Sequence, residues 1–130
     1  MCSPEVVTAV VPDWARAGFG DAAPTMPYEV GRSGEIAALV FGFPLVVPPS
    51  TARTNKILWV SRQATTADRL DISAQQMDGA TPVGDPVKQS VAGGPGPSIV
   101  DLPTAGCWRF TLSWADRTDS LDLEYAAGST

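Results

Sequence analysis

From Trp108 to Trp114 the chain alternates without interruption. Trp108, Phe110, Leu112 and Trp114 are large and apolar, and Arg109, Thr111 and Ser113 between them are polar. In a β-strand, successive side chains point to opposite faces, so this pattern puts four bulky groups on one side and three polar ones on the other. On a helix the same four residues would be spread around the axis instead of forming a stripe. The stretch Gly106–Trp114 is therefore a strand with one face on a core, and the rest of the chain must supply that core.

The 130 residues fit one domain, and a chain of this length buries about two-thirds of its unfolded surface. Other segments carry the same period. Arg69–Met77 turns Leu70, Ile72 and Ala74 one way and Asp71, Ser73 and Gln75 the other, and it ends at the hairpin signal Asp78-Gly79. Asn55–Arg62 puts Ile57 and Trp59 on one face and Leu58 and Val60 on the other. Glu35–Phe43 is a continuous apolar run closed by Pro44, the mark of a strand covered on both faces, with Gly42 as a bulge or close approach. Thr81–Val91 contains Pro82 and Pro86, which restrict it to a sheet edge. Ser98–Leu102 follows the breaker cluster Gly93-Gly94-Pro95-Gly96-Pro97. Ser120–Tyr125 follows the polar turn Asp116–Asp119 and hairpins with the organising strand. Twelve Gly and twelve Pro suit many short strands and turns, and no segment sustains a helical period.

Residues 1–33 differ. Pro4, Pro12, Pro24 and Pro27 space out Trp14, Phe19, Met26 and Tyr28, which reads as an extended strap with at most one edge strand at Glu5–Val11. The expected fold is all-β, an immunoglobulin-like β-sandwich of seven or eight short strands over residues 34–126, with residues 1–33 as a proline-rich N-terminal strap. The Cys…Trp…Cys spacing of antibody domains is absent, so the likeness is one of architecture.

Three segments carry a family resemblance: Asn55-Lys56-Ile57-Leu58-Trp59-Val60, Gly94-Pro95-Gly96-Pro97-Ser98-Ile99-Val100-Asp101-Leu102-Pro103, and Gly106-Cys107-Trp108-Arg109-Phe110-Thr111-Leu112. Together they resemble a group of small exported proteins and lipoproteins of actinobacteria, over residues 14–126. The glycine–cysteine–tryptophan strand with its proline-rich lead is the most specific piece. The resemblance implies an immunoglobulin-like domain outside the cytoplasmic membrane. The group brings no activity with it, so no catalytic residue is carried over. No secretory signal stands in this sequence, and export is the implication of the resemblance alone.

Composition narrows the function. A net charge of −5 without a Lys/Arg cluster argues against nucleic acid and against unaided binding to anionic lipid. The absence of histidine removes the commonest general base and metal ligand. The start Met1-Cys2-Ser3-Pro4 is what a processed lipoprotein signal leaves behind, so Cys2 reads as a lipidation site. Cys107, in a strand and without a base, reads as a small structural side chain, and a Cys2–Cys107 disulfide competes with lipidation and is disfavoured. Asp116, Asp119, Asp122 and Glu124 lack the loop spacing of a calcium site and read as a solvated hairpin. Ser61 near Lys56 lacks the setting of a serine–lysine hydrolase. Trp108, Trp114 and Trp59 belong to the core, which leaves Trp14, Phe19 and Tyr28 as candidate partner or ligand contacts.

The expectation is thus a non-enzymatic domain of the cell envelope without metal or cofactor. It would be held at the membrane by a lipid anchor only and act by protein contact as an accessory or structural subunit of a larger assembly. The proline-rich segments 3–33 and 44–50 would be its contact surfaces. The alternative is a small-ligand or glycan-binding module with a groove near Trp14 and Tyr28.

Overall fold

The structure, a computed structural model, describes residues 2–16, 24–49, 54–63 and 66–127. Among them are ten strands: β1 Val7–Val10, β2 Thr25–Val30, β3 Ile36–Val40, β4 Leu45–Val47, β5 Lys56–Ser61, β6 Arg69–Asp78, β7 Thr81–Ala92, β8 Pro97–Ile99, β9 Gly106–Trp114 and β10 Arg117–Ala127. They form two five-stranded sheets. Sheet I has the order β1-β2-β3-β5-β8 and sheet II the order β4-β10-β9-β6-β7. All pairings are antiparallel except β4 with β10, where Leu45–Val47 runs parallel to Tyr125–Ala127.

The sheets pack face to face as an all-β sandwich. The alternation of β9 sends Trp108, Phe110, Leu112 and Trp114 into the core, where each is almost wholly buried. Leu70, Ile72 and Ala74 of β6 and Leu121, Leu123 and Tyr125 of β10 join them from the same sheet. Ile36, Ala38, Ile57 and Trp59 come from sheet I. The Trp59 and Phe110 rings lie 5.8 Å apart and Phe110 and Tyr125 6.5 Å apart, within the range of favourable aromatic pairs. The three buried indoles all find acceptors. Trp59 Nε1 donates to Ser98 Oγ at 3.1 Å, Trp108 Nε1 to Thr104 O at 3.0 Å and Trp114 Nε1 to Ser61 Oγ at 3.2 Å. A buried N–H left without a partner would cost about 1–3 kcal/mol, so these bonds are what let tryptophan serve as core.

Three expectations are corrected. Residues 1–33 are not a strap separate from the sandwich: β1 is an edge strand, but β2 lies inside sheet I between β1 and β3. Pro27 is compatible with this place because it lies just outside the β2–β3 ladder, which begins one residue later at Tyr28↔Leu39. The β9–β10 turn is Ala115-Asp116 alone, with Trp114 opposite Arg117 and Ala115 at φ 51°, so Arg117–Asp119 belong to the strand. Asp119 and Asp122 are not solvated. Their residues are 3% and 0% exposed, for reasons given below.

Candidate interaction face

A sheet in a two-layer sandwich has one face on the core and one outside, and the outer face is ordinarily polar. The register of sheet I shows otherwise. Val7 pairs with Tyr28, Tyr28 with Leu39, Leu39 with Leu58 and Leu58 with Pro97, an apolar row that crosses all five strands on the side away from the core. Val30, Ala37 and Val60 form a second row beside it, and Ala9 pairs with Met26. Val11 and Ala15 pack on Ala37 and Leu39 as a cluster distinct from the core. Trp14, Met26, Tyr28, Val30, Phe41, Leu58 and Val60 surround that cluster and remain half-exposed. Two cations border the patch: Lys56 Nζ sits 5.0 Å from the Phe41 ring centroid and the Arg62 guanidinium 5.5 Å from that of Trp14.

Sheet II presents the opposite chemistry. Its outer rows read Thr118, Ser113, Asp71, Ser90 and Ser120, Thr111, Ser73, Lys88 across four strands. The next row carries Asp122 opposite Arg109, and the amino-terminal segment crosses over it. Cys2 is disulfide-bonded to Cys107, and its N–H donates to Gly79 O at 2.8 Å. Ser3 N donates to Asp122 Oδ2 at 2.7 Å. Arg109 Nε and Arg32 Nη2 reach the same carboxylate at 3.0 and 2.6 Å. Burial pushes the Asp122 carboxyl up, but the bonds from Arg109, Ser3 and Arg32 outweigh it and hold the group below the usual carboxylate range.

Two further carboxylates seal the side of β10 that β4 does not cover. Asp119 accepts the N–H groups of Ser33 and Glu35, both at 2.8 Å, and thereby fixes the β2–β3 turn. Gly31 packs against it so closely that any Cβ there would overlap the Asp119 carboxylate. Glu29 Oε1 accepts Glu5 N–H at 2.7 Å, and Oε2 accepts Asp122 N–H at 3.2 Å. Burial pushes the Glu29 carboxyl up to about 7, against the pull of those two donors and with the help of the nearby Asp122 and Glu5 charges. A cavity of about 440 Å³ beside it is lined by Ser3, Glu5, Glu29, Gly31 and Arg32.

The sequence-predicted residues fall on different sides of the molecule. Trp14 and Tyr28 come together in the apolar patch on sheet I. Phe19 lies outside the described residues. Cys2 is on sheet II, bonded to Cys107. A sulfur in a disulfide has no bond left for a lipid thioether, so the lipidation site is corrected to a crosslink, and Cys107 is not the isolated thiol the sequence pointed to. Of the proline-rich stretch 44–50, Leu45 is buried and Val46 exchanges both main-chain bonds with the Asn55 amide, while Phe43 just before it is exposed. Phe41, Leu58 and Val60 were not among the predicted contacts. Their signal was present in Glu35–Phe43 and Asn55–Arg62, which are apolar on both faces and so imply an apolar outer face as well. Among the described residues no cluster of three potential metal ligands occurs, and no helix is long and apolar enough to cross a membrane. No protein-family model, curated protein or solved structure matches the chain.

Proposed function

We propose that this is a non-enzymatic, immunoglobulin-like contact domain of the cell envelope that docks on a protein partner through the outer face of sheet I. The observation that carries this reading is the row Val7-Tyr28-Leu39-Leu58-Pro97, an apolar band across a whole sheet on the side where a solitary sandwich is polar. The Cys2–Cys107 disulfide supports an oxidising compartment, because such bonds persist outside the cytoplasm and are rare within it. The domain would serve as an accessory subunit tethered by its partner, since Cys2 is committed to the crosslink. A glycan would need several polar side chains beside its aromatic platform. Arg62 and Lys56, beside Trp14 and Phe41, are each already over a ring.

The test is site-specific photo-crosslinking in the native host, with the photoreactive side chain at Leu58 on sheet I or at Thr111 on sheet II. A discrete crosslinked species at Leu58, abolished by Tyr28→Glu and not seen at Thr111, is the expected result. Equal products at both positions, or none at Leu58, would remove the face from consideration. Mass spectrometry of the alkylated host protein should find no free thiol on Cys2 or Cys107.

A further inference from the structure

Sheet edges carry free main-chain donors and acceptors, and proteins usually blunt them. β4 and β8 are three residues each, and β4 lies between Pro44 and Pro48. β7 is 12 residues long but guarded. Pro82 and Pro86 delete donors, and Gly84 turns to φ 69°. The register with β6 slips between Ala74 and Gln76. Gln75 Nε2 occupies the carbonyls of Val83 and Gly84 at 2.9 and 3.1 Å.

β1 is also short, four residues between Pro4 and Pro12, but the strand itself carries none of the devices of β7. Val7-Thr8-Ala9-Val10 contains no proline, glycine or charge, pairs on one side only among the described residues, and leaves Val7 and Val10 each 48% exposed. Val11 donates its N–H to Pro24 O at 2.9 Å, which sets the alternation along the strand. Val7, Ala9 and Val11 turn their main-chain groups towards β2, and Thr8 and Val10 turn theirs away from the sheet.

We infer that β1 is an acceptor edge, which takes an extended segment of the partner protein as a sixth strand of sheet I. The inference rests on the contact-face reading and deepens it, because a strand laid beside β1 prolongs the apolar row beyond Val7. The incoming segment is uncharged and β-branched where it pairs, and carries a Lys or Arg at each end. Exposed Glu5 and Asp13 stand just outside the two ends of β1 and set that preference. The same pair disfavours a second copy of this chain as the strand. In the two-fold antiparallel register centred on Ala9, which joins Thr8 to Val10 of the copy, Glu5 would lie opposite Asp13.

The experiment titrates the whole disulfide-bonded protein with a capped peptide of alternating valine and threonine, long enough to span Val7–Val10, with a lysine at each end. N-methylation of one peptide edge blocks self-stacking, and residue-resolved amide exchange is the readout. Exchange at Thr8 and Val10 should slow on binding, with β7 unchanged, and the same peptide ended in glutamates should bind more weakly. Thr8→Pro removes an outward donor and leaves the ladder to β2 intact, so it should weaken the peptide about tenfold, whereas Thr8→Val should not. If the proline variant fails to fold by near-ultraviolet circular dichroism, the lysine-ended and glutamate-ended peptides on the unmodified protein still decide. Protection on β7 in place of β1, or equal binding of both peptides, would overturn the inference. So would a concentration-dependent dimer with Thr8 and Val10 already protected, which would put a second copy at the edge. Val60→Glu, on the neighbouring row, separates the two readings: it should abolish the crosslink from Leu58 and leave peptide pairing at β1 unchanged.

Discussion

Each of the two sheets has five strands and one face on the common core, yet their outer faces do different work. On sheet II, hydroxyls and charges cover the surface, and the buried Asp122–Arg109 pair is roofed by Cys2 and Ser3 and by Arg32 of the β2–β3 turn. On sheet I, apolar side chains cover the surface, and among the described residues Val11 and the turn Asp13–Ala15 roof its centre. A polar face can be left to water without cost, and an apolar one cannot. Substitutions on sheet II should therefore read out chiefly as stability, and substitutions on sheet I chiefly as lost contact.

The largest effect should come from the crosslink. Cys107→Ser opens a bond between residues 105 apart, and closing a loop of that length is worth about 4–5 kcal/mol on the chain-entropy account. Urea unfolding of the variant against the oxidised protein measures it. A loss below about 1 kcal/mol would mean that the roof contributes little to sheet II.

Asp122→Ala should follow. It strips a fully buried carboxylate from Arg109, Arg32 and the Ser3 amide, at a cost of about 3 kcal/mol, the low end for a broken buried pair because both arginines keep partial access to water. A neutral result would show that the cluster is as solvated as an ordinary surface pair.

Glu29 adds a pH signature. Its folded pKa, about 7, lies above the ordinary value of 4.5, so the fold favours the protonated form. That stabilisation is complete below about pH 4.5 and is lost as pH rises through about 7, by up to about 3 kcal/mol. Relative to Glu29→Gln, the unmodified protein should thus lose stability between pH 4.5 and 7 and hold level above it. The opposite slope would place the carboxylate in a charge-stabilising site.

The smallest stability change belongs to sheet I. Val60→Thr on the half-exposed second row should cost about 1 kcal/mol by thermal melting while abolishing the partner crosslink from Leu58. If it instead unfolds the domain, the row is core and the contrast between the faces collapses.

Legibility from sequence followed the range of the interactions involved. β6 and β9 were readable because each carries its own alternation, β5 because of its short apolar run, and the guarded edge β7 because Pro82 and Pro86 are local facts. β2 was not readable. Pro24 and Pro27 argue against a strand, and Glu29 argues against burial, until the Glu5 and Asp122 amides arrive from elsewhere in the chain. Asp122 was placed on the outward face of β10, where it lies, but its burial depends on Ser3 and Arg32, 119 and 90 residues away. Trp14 and Tyr28 were chosen as free aromatics, and their common patch appeared only when β2 was found between β1 and β3.

What the sequence determined by itself was the all-β class and which side of its clearest strands faces the core, because side-chain alternation is a property of adjacent residues. The tertiary structure decided which outer face is polar and roofed by the amino-terminal segment and which is apolar. It also decided that Cys2 crosslinks to Cys107 and that three carboxylates of an acidic chain are buried. Those outcomes depend on segments far apart in sequence reaching one place, and local pattern carries no record of such meetings.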